Sequence, residues 1–363
     1  MNKYVLFGGV AMVALATATP GFAGSNPPGG DDSATIVQSG EVGGVATQHQ
    51  PGLAGNVASI TQTRGTHDVA HQEQWRNLNG VDFAVRGQQT ITQTTNNRAT
   101  ANQEDNGLNN NRQTSTQTSN ANTSSNQTIN SPFSINNTQN STQTSNRLSS
   151  VTQTIGGTVA PGSSTLISST NTQTAAQSGQ LSSSISQTVG SASSTNKQTA
   201  TENGVGVSNV ITQLIANSAN ANQQTATITG GASNSIRQNQ DTSAHNDQQT
   251  ASSTGGSNNR VEQYQGIGSS GVTQLATLTG TNGAVLQWQG PGLTSGSQTV
   301  NQSGLSNSAG QGQGNSANVA LITQSGTGNI ALQNQGLLPG ANGFMTASLA
   351  GNVGGNINHP GSR

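Results

Sequence analysis

The chain of 363 residues contains 43 Asn, 40 Gln, 45 Ser, 47 Thr and 47 Gly, against 29% hydrophobic, 2% aromatic and 6% charged residues. So few large apolar side chains exclude an ordinary globular enzyme, because they cannot offset the entropy of ordering the chain. A net charge of −1 with scattered basic residues excludes a nucleic-acid footprint, and the absence of Cys excludes disulfides, thiolate metal sites and thiol redox chemistry.

From the amino end, residues 1–23 have the parts of a secretory signal peptide. Lys3 is the charged start, Tyr4 to Ala18 the apolar run, and Pro20-Gly21-Phe22 the break before the small Ala23. The run is shorter than the ~20 residues a spanning helix needs. A secreted, extracellular chain with no membrane span after leader removal is therefore expected. Residues 24–33, with Pro27-Pro28-Gly29-Gly30, read as a flexible linker. Residues 34–114 carry degenerate repeats, and 115–199 form a Ser/Thr/Asn/Gln-rich, glycine-poor stretch where repetition is weaker. Residues 200–340 carry the better repeats, and 341–363 form a Gly/Asn-rich tail.

Repetition is sharpest in 302–335. Gln302, Gln313, Gln324 and Gln335 follow at intervals of eleven. Asn307, Asn318 and Asn329 keep the same frame, as do Ala309, Ala320 and Ala331, while Gly304 and Gly326 recur at twenty-two. Upstream, a β-branched residue stands two before a glutamine at Ile60, Ile91, Val151, Ile211, Val272 and Ile322. That alternation places both side chains on one face of a strand. Eleven residues suit a short strand plus a turn, with Gly and Asn supplying positive φ. The predicted fold is all-β: a repetitive β-solenoid of stacked strand-turn-strand coils, cross-β and amyloid-like. Each coil is expected to have about 22 residues in two halves of about 11, giving roughly fourteen coils at one strand spacing each. Inward Gln and Asn would bond amide to amide up the stack, in place of an apolar core.

Two runs carry a family resemblance: Gln302, Gly304, Asn307, Ala309 and Gln313, then Gln324, Gly326, Asn329, Ala331 and Gln335. Their pattern, Q-x-G-x-x-N-x-A-x-x-x-Q, resembles the curlin repeat of bacterial curli amyloid subunits. A looser copy with one inserted residue runs through Gln50, Gly52, Asn56, Ala58 and Gln62. The resemblance implies a secreted, non-enzymatic subunit that polymerises with itself into fibres at the cell surface, serving adhesion and biofilm. It also implies a curli-type export pore and a nucleator or second fibre subunit as partners. The greater length, glycine-poor middle and uneven register depart from the family pattern.

Other motifs carry less. His67 and His71 have the i, i+4 spacing of helical zinc ligands, but no helical pattern surrounds them and the intervening glutamate is missing. Thr-Gln-Thr triplets at 61–63, 92–94, 116–118, 142–144, 152–154 and 172–174 would present hydroxyl rows, with spacings too irregular for one lattice. Glu104-Asp105 reads as a solvated turn or a gatekeeper, and Trp75 and Trp288 are isolated. No catalytic, cofactor or metal residues are expected. The reading from another class is a monomeric β-solenoid acting as a surface adhesin or ice-binding module.

Overall fold

The structure, a computed structural model, describes residues 16–18, 33–49, 55–74, 86–106, 110–130, 135–156, 168–314 and 318–335. The signal-peptide reading, apart from the backbone of Ala16–Ala18, lies outside these residues. So do nearly all of the 24–33 linker, the 341–363 tail, Gln50, Gly52 and Trp75.

Alternation of inward and outward residues fixes the strands. In Gln88–Thr94 the residues Gln89, Ile91 and Gln93 are buried, and in Thr100–Asp105 so are Ala101, Gln103 and Asp105. Each coil is one such pair, a first strand with three inward side chains, a corner, and a second strand with three more. The coils run from Ser33–Ser39 with Val45–His49 to Val319–Gln324 with Ile330–Gln335. First strands stack into one sheet and second strands into the other, and Ala16–Ala18 adds a short strand beside Val45–His49. Every pairing between coils is parallel and superposes like positions, as in Gln72↔Gln103 and Gln103↔Gln127. Twelve such coils give an axis of roughly 50 Å at one strand spacing per step.

The architecture is the predicted all-β solenoid, and the coil is longer than the eleven-residue frame suggested. Equivalent residues are 24 to 26 apart in most steps, and 22 apart only between the last two coils. Two steps of 31 and 34 take up residues 75–85 and 157–167 between coils that still superpose. Among the described residues, twelve coils rather than fourteen follow from this. The 115–199 stretch is as well registered as its neighbours. Most of its corners reach positive φ without glycine, at pairs such as Ser119 with Asn122 and Ser145 with Leu148.

Apolar volume is shared between the sheets. Ile60 and Ile91 on the first sheet accompany Ala70 and Ala101 on the second. Farther along, Ala200, Ala226 and Ala251 on the first accompany Ile211, Ile236 and Val261 on the second, and then Val300 accompanies Ala309. Where both sides are small, Ser115, Ser125 and Ser141 are linked hydroxyl to hydroxyl at 3.0 and 2.9 Å. Large opposite small keeps the sheet separation constant, as close packing requires.

Candidate functional site

The feature that repeats in every coil is an inward column of glutamines at the fourth place of the second strand. It runs from Gln48 through Gln72, Gln103, Gln127 and Gln153 to Gln187, then from Gln213 through Gln238, Gln263, Gln287 and Gln311 to Gln333. Each Nε2 donates to the Oε1 of the next coil at 2.7 to 3.4 Å. Its second hydrogen goes across the coil to a first-strand carbonyl, as from Gln103 to Thr90 O at 3.0 Å and from Gln263 to Thr250 O at 2.9 Å. One amide thus joins coil to coil and sheet to sheet. A buried amide without partners would cost about 1–3 kcal/mol, so satisfying both groups is what makes this interior tolerable.

A second column stands at the second place of the first strand, from Gln89 to Gln298, with equivalent bonds of 2.8 to 2.9 Å. The predicted ladder residues fall into two further columns. Gln302 donates to Gln324 at 2.7 Å on the first sheet, and Gln313 to Gln335 at 3.1 Å on the second. Intervals of eleven therefore step alternately between the sheets, while intervals of twenty-two stay within one.

The companion residues divide in the same way. Asn307 and Asn329 share a corner, where the Asn329 N–H donates to Asn307 Oδ1 at 2.9 Å. Asn318 lies at the opposite corner and offers its carbonyl to Ser297 N and Gln313 Nε2, both at 2.9 Å. Ala309 pairs with Ala331 in the second sheet. Ala320 lies in the first sheet above Gln298, where it ends the second glutamine column. Gly304 and Gly326 superpose with φ of 103° and 97°, and a Cβ on Gly304 would fall 2.0 Å from the Gly326 carbonyl oxygen. Side chains rarely adopt such φ values, so glycine is needed there twice over.

Ile60, Ile91 and Ile322 occupy the fourth place of first strands, and Val151 and Ile211 the second place of second strands. All five point inward. Val272 departs from the strand reading. It is buried in the corner before Thr273–Thr281, in the column held below it by Asn222 and Asp247. The two-before-glutamine rule mixed three structural places because each of them precedes an inward Gln.

That corner column is one the repeat reading missed. Asn111, Asn137, Asn171, Asn196 and Asn222 each accept at Oδ1 the backbone N–H of the same place one coil on, at 2.9 to 3.1 Å. Its signal is Asn two before Gln, as in Asn111-Arg112-Gln113 and Asn196-Lys197-Gln198.

Acidic side chains also enter the interior. Asp105 is buried on a strand, contrary to the solvated-turn reading, and accepts from Asn111 Nδ2 at 3.1 Å. Glu202 takes a glutamine's place, accepting from Gln177 Nε2 at 2.9 Å, and its Oε1 has no partner. Burial pushes its carboxyl up to about 8, against the lowering effect of the Gln177 bond. Burial likewise raises Asp68 and Asp247 to about 6. His67 sits in a corner at φ 55°, whereas His71 is on a strand with Nδ1 2.7 Å from Thr47 Oγ1, so helical convergence on a metal is not formed. Among the described residues no group of three or more His, Cys, Asp or Glu could hold a metal, and no helix is long and apolar enough to cross a membrane.

No protein-family model matches the chain, and no curated protein matches it.

Proposed function

We propose that the chain is a secreted structural subunit that assembles head to tail into curli-like amyloid fibres at the bacterial surface, for adhesion and biofilm matrix. In this reading it is not an enzyme, and its partners are copies of itself, an export pore, and a nucleator or second fibre subunit. The observation that carries the proposal is the direction of the amide columns. From Gln48 to Gln333 the donor is always on the earlier coil and the acceptor on the later one. The first coil therefore ends a column on an acceptor and the last coil ends it on a donor. Gln38 Oε1, at the start of the first-sheet column, has no hydrogen-bond partner. Ends that complement each other without closing produce a filament, and strand edges supply the backbone bonds.

Purified mature protein should form fibres with a ~4.8 Å reflection along the axis. Gln313→Ala combined with Gln324→Ala should slow elongation, whereas Thr61→Ala combined with Thr63→Ala should leave it near the parent rate. Sedimentation as a discrete monomer after seeding would reject the fibre and favour a solenoid that folds once and works through one of its faces.

A further inference from the structure

The first sheet turns its first, third, fifth and seventh places outward, and the last three of these form a threonine-bearing face. The coil-length variation that made the Thr-Gln-Thr triplets look unmatched in sequence disappears in register. Thr61, Thr92, Thr116 and Thr142 superpose in one column, and Thr63, Thr94, Thr118 and Thr144 in the next. Triplet 152–154 lies on the other sheet and 172–174 four places earlier, where Thr174 joins the third-place column with Thr199 and Thr225. Beyond these coils the fifth place holds Ala176, Thr201, Thr227, Ser252, Thr277 and Asn301 in turn, so the unbroken threonine row is that of the four triplet coils. The three columns contain no charged side chain. Opposite them, the second sheet projects His71, Glu73, Glu104, Arg237, Arg260 and Glu262.

We propose that this threonine face binds ice. Its hydroxyls and methyls repeat at ~4.8 Å along the axis and ~6.7 Å along each strand, the distance of two residues. Such a rectangular net lies close to the oxygen repeats of crystalline water. Inward ladders of the kind seen here are what keep a many-stranded sheet from twisting out of a plane. Absence of charge from these three columns matches an uncharged crystal, the first-sheet cations Arg112 and Lys197 standing apart at the first place of their strands, whereas an ionic partner would be drawn to the opposite sheet. The face is independent of polymerisation: it is the same on a monomer and along a fibre.

The test is partition of the full mature chain into slowly growing ice, with recrystallisation inhibition as a second readout. The parent should enter ice. Thr92→Lys with Thr116→Lys should lower incorporation about tenfold or more, a change equal to ~1.4 kcal/mol. Thr152→Lys with Ser186→Lys, on the opposite sheet, should leave it unchanged. Thr92→Ser with Thr116→Ser keeps the hydroxyls and the outward geometry, and should also reduce incorporation through loss of the methyls. Exclusion of the folded parent from ice, equal losses from both sheets, or retention on crystalline cellulose or chitin with no ice incorporation would each overturn the proposal. Since fibre formation is read separately by sedimentation, failure of either proposal leaves the other standing.

Discussion

Where Glu202 replaces glutamine, a protonated carboxyl imitates the amide it displaces and an ionised one does not. The Gln177 amide satisfies one oxygen, while Ile228 in the next coil offers no polar group to the other. With its carboxyl raised from 4.5 to about 8, Glu202 keeps its proton in the fold at pH values where the unfolded chain has lost it. Its contribution is therefore complete at low pH and declines as pH rises towards 8. Asp68 and Asp247, raised from 3.8 to about 6, add a decline of the same sign at lower pH. Denaturation of the soluble chain should show stability falling between about pH 4 and 8. Glu202→Gln should remove the upper part of that slope and stabilise the protein at pH 8 by a few kcal/mol, since each pKa unit is worth about 1.4 kcal/mol. An unchanged slope would place the carboxyl in water. Leu148 poses a different residue-scale problem: it is exposed and holds φ at 55°. Left-handed geometry costs a branched-chain residue about 1–2 kcal/mol and asparagine less. Leu148→Asn should raise the urea midpoint by an amount equivalent to ~0.5–1 kcal/mol, and an equal or lower midpoint would show that the corner carries no strain.

At the scale of strands, packing depends on an exchange between partners. Ala226 in Gln223–Ala232 and Ile236 in Ser235–Gln240 belong to the same coil and the same buried cluster. In the coil of Gln88–Thr94 and Thr100–Asp105 the order is reversed, Ile91 lying on the first sheet and Ala101 on the second. Enlarging one side should overfill the layer, so Ala226→Ile is expected to cost about 1–3 kcal/mol. Adding Ile236→Ala restores the volume and should recover more than half of that loss. A double variant as unstable as the sum of its singles, measured by chemical denaturation, would mean that the two strands pack independently.

For the molecule as a whole, the amide columns perform the work that apolar burial performs in a globular domain. Apolar clusters are present, but each is one or two side chains wide and flanked by glutamines along its length. Satisfied amides recur once per coil, so each coil added to the stack gains nearly the same set of bonds as the one before it. Stability in such a stack is largely a sum of coil and neighbour terms. That regularity links the fold to the proposed head-to-tail growth, because a neighbouring chain can supply the same bonds as the next coil. It also spaces the outer threonines evenly in uncharged columns of the first sheet.

The sequence by itself determined the class of fold. Composition ruled out a core that is apolar throughout, and the alternation around glutamines defined strands whose inward amides had to meet their own copies. It also set which residues turn, as at Gly304 and Gly326, both at positive φ, with a close carbonyl leaving no room for a side chain at Gly304. Coil length, the sheet to which each glutamine belongs, and the place of Val272 were decided only by the tertiary structure. The reason is that register is set by hydrogen bonding between coils, and loops of unequal length join them at no cost to it. Spacings of 24, 31, 26 and 34 residues superpose equally well once the strands pair. Linear intervals therefore conceal the alignment that places four Thr-Gln-Thr triplets side by side.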